Sequence, residues 1–289
     1  MFDTTSFLQF ILPQCDRKSF IISYLKNNGV EAVVMPVENK NHIYVVFPKQ
    51  AYNSQYKIKT VLIHYDRVQN SPGANDNSIA VFLAMQWAIR LQNYKNFHNV
   101  RLIFTDGEEL SENGISSQGA YSLASVFKRL KITNDDVYVF DCVGRGSVPI
   151  ISDCSIPKTT NALFQEKYNS LKNRTQALLQ AVSEKVCCLP VSYSDNGGFL
   201  ACGIPAVAIT FLPETEATLY IENLKQNPEL KEYIINKKNK ESKNLEEMLP
   251  FTWKLFHTPN DNFDSLSEES FYLMEKILNS LALTNYINN

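Results

Sequence analysis

The chain has 289 residues, 44% of them hydrophobic, with 28 basic against 30 acidic side chains and a formal charge of −2. That composition supplies an ample core for one large α/β domain and excludes the strongly basic balance of a nucleic-acid binder. No run reaches the roughly 20 apolar residues of a membrane-spanning helix, and the N-terminus lacks a signal peptide's basic start, so a soluble, cytoplasmic chain is expected.

In chain order, residues 19–28 read as an amphipathic helix ended by Gly29. Two strand-like runs, 31–37 and 42–47, flank a polar turn and predict an antiparallel hairpin. The pattern then alternates: strand 58–64, helix 78–91, strand 100–105, helix 117–130 and strand 137–142. Short apolar strands separated by helices predict an α/β fold, with a mixed, mostly parallel central sheet and helices on both faces. A long helical segment follows over 161–186, then a short strand near 191–194, a short helix at 196–201 and a strand at 205–211. From 213 to about 250 the composition turns charged and helical. It is too poor in apolar residues for a core of its own, so a helical insertion within a single 1–289 domain is expected. The lysine-rich run 237–240 reads as a solvated face. A last helix starts at Ser267, with Phe271, Met274, Ile277, Leu278 and Leu281 at helical spacing. Six cysteines (Cys15, Cys142, Cys154, Cys187, Cys188, Cys202) show no paired spacing and read as small core residues of a reducing compartment.

Chemistry-bearing side chains fall where strands end. His64 closes one strand, and Asp76 sits where the Pro72-Gly73 turn leads into a helix. Glu108 and Glu109 follow the strand 100–105, Asp141 follows Phe140, and His257 opens the turn-rich His257-Thr258-Pro259-Asn260-Asp261. Sites in open α/β sheets form beyond the carboxyl ends of the strands, where these positions converge. Two imidazoles with several carboxylates suit a pair of zinc-like ions, which when ~3.5–4 Å apart ionise a water and aim it at a carbonyl. Adjacent glutamates point in different directions, so one can ligate while the other takes the proton. Singly, each has a plainer reading: His64 as a structural histidine, Asp76 as a helix cap, Glu108-Glu109 as a solvated pair. Asp195 reads as a cap, Asp261 as a turn or supporting group, His42 and His98 as structural, and Trp87 as core.

The ordered segments His64-Tyr65-Asp66, Pro72-Gly73-Ala74-Asn75-Asp76-Asn77, Asp106-Gly107-Glu108-Glu109, Phe140-Asp141-Cys142-Val143-Gly144, Ser194-Asp195-Asn196-Gly197-Gly198-Phe199, Gly203-Ile204-Pro205-Ala206 and His257-Thr258-Pro259-Asn260-Asp261 span about 61–264. Together they resemble metallopeptidase family 28, the co-catalytic dizinc aminopeptidases, whose relatives include glutaminyl cyclases. The resemblance implies a zinc-aminopeptidase α/β/α sandwich holding two divalent ions, Zn2+ first among them. His64 and Asp141 would hold one ion, Glu109 and His257 the other, with Asp76 bridging. Glu108 would be the general base toward a metal-activated water, and Asp66 would orient His64. The implied substrate is a peptide with a free N-terminus, and neither nucleic acid nor membrane is an expected partner. The text departs from the family at Ser116-Ser117-Gln118-Gly119, at Asn196 after Ser194-Asp195, and in the 213–250 insertion. Alternatives are a glutaminyl-cyclase-like acyltransferase with one zinc, against which stands Phe256 where cyclases usually carry Trp, and a non-catalytic binding homologue.

Overall fold

The computed structural model describes residues 2–109, 114–154, 160–236 and 243–288; the 237–240 run lies outside them. Two helices, α1 (Thr4–Phe10) and α2 (Arg17–Asn27), precede the hairpin β1 (Glu31–Val37) and β2 (Lys40–Val46). Then come β3 (Lys59–His64), α3 (Ile79–Gln92), β4 (Val100–Thr105), α4 (Gly119–Arg129), β5 (Asp136–Phe140) and β6 (Val148–Ser152). The chain continues through α5 (Ala162–Gln180), β7 (Cys187–Leu189), α6 (Asn196–Ala201) and β8 (Ala206–Leu212). Helices α7 (Glu214–Gln226), α8 (Glu229–Asn236), α9 (Lys243–Glu247), α10 (Phe251–Lys254) and α11 (Glu268–Leu283) complete it.

The eight strands form one mixed sheet in the order β1-β2-β4-β3-β5-β8-β6-β7. Its centre, β4-β3-β5-β8, is parallel, as the alternating pattern predicts. Every residue of β3, β5 and β8 is buried, which is why these strands read as continuous rather than alternating apolar runs. Side chains still alternate between faces. Val61 and Ile63 point into a large cluster with α2, α3, α5 and α11, whereas Leu62 points into a smaller one with α4 and α6. A third cluster lies under the 213–250 segment expected to be an insertion, where Tyr220, Leu230 and Ile234 cover Val148, Ile150 and Leu212. The insertion's apolar residues are thus spent on the sheet.

Three elements escape the sequence pattern. Helix α1 is seven residues long, too short to show a period, and is held by a side-chain cap from Asp3. Strand β6 carries Pro149 and runs antiparallel to β8. The short strand expected near 191–194 lies at Cys187–Leu189, because pairing to Ile150–Ser152 sets the register. Trp87 is fully buried in α3, as expected.

Candidate metal centre

The C-terminal ends of β3, β4 and β5 deliver His64, the Glu108-Glu109 pair and Asp141 to one edge of the sheet. Asp76 arrives on the turn between β3 and α3. Gly73 is left-handed there (φ 59°), and a side chain at this position would collide with the Asp76 carbonyl. His257, itself at φ 61°, is brought in by the loop between α10 and α11. Asp76 caps no helix. Its Oδ1 lies 3.2 Å from His64 Nε2 and its Oδ2 lies 3.3 Å from His257 Nε2. Asp141 Oδ1 is 3.3 Å from His64 Nε2, and Glu109 Oε2 is 3.0 Å from His257 Nε2. The structure therefore gathers His64, Asp76, Asp141, Glu109 and His257 into two lobes sharing one carboxylate.

Acceptors outnumber donors here. A single ring nitrogen of each histidine faces two carboxylate oxygens, and Glu109 Oε1 is buried without a partner. Hydrogen bonds donated to the Asp76 and Glu109 carboxylates push the His257 pKa up to about 10. His64 is raised well above the usual imidazole range: burial opposes this, but Asp141, Asp66 and Asp76 outweigh it. Burial raises Glu108 well above the usual carboxylate range, and His64 opposes this only partly. An uncompensated set of this kind calls for cations, and its N/O donors fit zinc.

The supporting contacts come from further away. Asp66 Oδ1 lies 3.5 Å from His64 Nδ1, and its two oxygens accept the main-chain N–H groups of Glu108 (3.2 Å) and Glu109 (3.1 Å). One carboxylate thus orients a histidine and fixes the glutamate pair. Gln118 Nε2 donates to Glu108 Oε1 at 3.1 Å. Asn77 brackets Asp141, donating to the Phe140 carbonyl (2.8 Å) and accepting from the Cys142 N–H (3.2 Å). Buried Arg17 donates to the carbonyls of Tyr65, Asp66 and Pro72 and to Ser78 Oγ.

Asp195 corrects the sequence reading. Its side chain does not cap α6; it is fully buried, accepts from the Thr105 hydroxyl, and leaves Oδ1 without a partner. Burial pushes it up to about 7. The supporting roles of Gln118, Asn77 and Arg17 have no signal in the sequence, because each depends on a partner at least ten residues away.

The family model described as peptidase family M28 matches residues 45–282. The chain belongs to that family. It superposes on solved structures despite low identity. The LapA aminopeptidase of Legionella pneumophila gives a TM-score of 0.61 at 15% identity, over 97% of this chain and 70% of that one. The zinc aminopeptidase BSAP of Bacillus subtilis gives 0.53 at 18%, over 84% of this chain and 49% of that one. A glutaminyl cyclase of Porphyromonas gingivalis gives 0.57 at 14%, over 97% and 95%. At such identities the likeness is one of fold. A search of the curated proteins finds no match.

Proposed function

We propose that this M28 chain is a zinc-dependent aminopeptidase that removes N-terminal residues from peptides. The observation that carries the reading is the division of Asp76, one oxygen toward His64 and Asp141, the other toward His257 and Glu109. His64, Asp141 and Asp76 would hold one ion, and Glu109, His257 and Asp76 the second. Two such ions, when bound, ionise water and polarise a scissile carbonyl.

Glu108 is the free carboxylate of the set, buried beside the ligands and held by Gln118. It takes the proton from the attacking water and hands it to the departing amine; its raised proton affinity suits both transfers. Asp66 keeps the His64 ring and the Glu108 backbone in place. The free amine of the substrate is recognised by the carboxylates lining the cleft.

One observation favours a second reading. The His64–Asp141 contact at 3.3 Å has the length of a hydrogen bond; were those two side chains paired with each other, Asp76, Glu109 and His257 would be left for a single zinc, as in a glutaminyl-cyclase-like acyltransferase. Elemental analysis with turnover of aminoacyl amides tests the choice. About two zinc per chain and release of free amino acid support the peptidase. About one zinc and cyclisation of N-terminal glutamine overturn it.

A further inference from the structure

Two apolar clusters occupy the same face of the sheet and leave a gap between them. Ala206 and Ala208 belong to the cluster under α4 and α6, whereas Leu212 belongs to the one under the insertion. Residues two apart on a strand share a face, so Thr210 of β8 faces the gap between Ala208 and Leu212. Thr210 pairs with Ile150 of β6, and Ser152 follows on the same face. Where an unbroken apolar core would place aliphatic side chains, the chain places two hydroxyls. Both are buried, and both line the cleft of about 470 Å³ that opens onto Asp76, Glu108 and His257.

Ser194, from the segment between β7 and α6, adds a third. It is buried, lines the same cleft, and its Oγ has no protein partner. Thr210 Oγ1 donates to the Cys142 carbonyl at 3.0 Å and so keeps its lone pairs for another donor. Ser152 Oγ meets Cys154 Sγ at 3.6 Å, a weak partner. Leaving a buried hydroxyl unpaired is costly, so this floor is made for a polar guest. The walls differ. Tyr233, Leu249, Trp253 and Phe256, from the 213–250 segment, α10 and the loop after α10, are apolar or aromatic. Among the described residues no lysine or arginine lines the cleft, and Glu246, its carboxylate away from the metal centre, is exposed and well solvated.

Resting on the aminopeptidase reading, we propose that the cleft selects substrates whose N-terminal side chain has an apolar stem and an uncharged hydrogen-bonding tip, as in tyrosine or glutamine. Ser194, Thr210 and Ser152 receive the tip, and Tyr233, Trp253 and Phe256 grip the stem. An acidic side chain finds no counter-charge. A purely apolar one leaves the Ser194 hydroxyl unmatched.

The test is kcat/KM of the zinc-loaded full chain on aminoacyl arylamides in matched pairs, tyrosine against phenylalanine and glutamine against methionine. The tipped member is expected to win by about tenfold, the worth of one hydrogen bond in a dry site. Ser194→Ala and the near-isosteric Thr210→Val are each expected to shrink that ratio, chiefly through KM. Affinities of tyrosinamide and phenylalaninamide for the inactive Glu108→Gln chain give the same comparison without turnover. Equal or better use of phenylalanine and methionine, a best substrate with a charged side chain, or ratios unmoved in both variants overturns the proposal alone. No hydrolysis of any arylamide by zinc-loaded protein overturns the aminopeptidase reading, and the proposal with it.

Discussion

Asp261 holds Asp76 by its backbone. The Asp261 carboxylate accepts the N–H of Asp76 at 3.0 Å on Oδ2 and that of Asn75 at 2.7 Å on Oδ1, and its carbonyl accepts the N–H of Ala74. The loop that supplies His257 therefore also fixes the turn that supplies Asp76, so both lobes of the site are tied through one buried side chain. Asp261→Ala leaves two buried N–H groups unpaired, and roughly 1–3 kcal/mol of stability is expected to be lost for each. Asp261→Asn keeps one acceptor oxygen and is expected to lose about half as much. Urea unfolding of the metal-free proteins measures the difference, and zinc titration should show weakened binding in both variants.

Glu108→Gln keeps the shape of the side chain and removes its ability to accept a proton. Turnover is expected to fall by roughly 10²–10⁴. Zinc content by elemental analysis should not change, since Glu108 stands outside the ligand set. Full activity in this variant would remove Glu108 from the proton-transfer role.

Metal removal has a separate readout. A ligand at 100 times its Kd stabilises a fold by about 2.7 kcal/mol, so chelation is expected to lower the thermal midpoint by several degrees and added zinc to restore it. Asp76→Asn weakens both lobes together and is expected to abolish most of that zinc response. A chelator-insensitive midpoint in the parent chain would mean the cluster holds no tightly bound ion.

His98 sets an acid limit away from the site. It is fully buried against Phe47, with Nδ1 accepting the Val100 N–H at 3.0 Å. Burial, helped by the Lys59 charge, lowers its pKa from 6.5 to about 4. Between those values the unfolded chain binds more protons than the folded one, so stability is fully present above pH 6.5 and declines as pH falls toward 4. The loss from this residue is expected to be about 3 kcal/mol. In His98→Gln, unfolding free energy measured on metal-free protein should depend less steeply on pH across that window.

Arg17 lies outside the matched 45–282 region, yet its guanidinium binds three carbonyls and a hydroxyl of the segment around Asp76. Arg17→Met is expected to cost roughly 3 kcal/mol, since several buried acceptors lose their donor. Arg17→Lys should recover part of it. Denaturant midpoints of the two variants check the order.

The sequence by itself determined the alternating strands and helices, the parallel centre of the sheet, and the positions that meet at its edge. Those features are local: strand runs and turn residues are written in consecutive letters, and His64, Glu108, Glu109 and Asp141 each sit beside a strand end that the pattern locates. Tertiary structure decided what depends on partners far away in the chain. Asp195 has the letters of a helix cap, but burial beside Thr105 gives it a different partner. Asp261 reads as a turn or supporting group, and only the fold shows what it holds, the Asp76 N–H at 3.0 Å. Strand β6 and the true place of β7 follow from edge pairing, which a strand's own residues specify weakly. The hydroxyl floor of Thr210, Ser152 and Ser194 could not be read in advance, because nothing local says which face of β8 and β6 the insertion leaves uncovered.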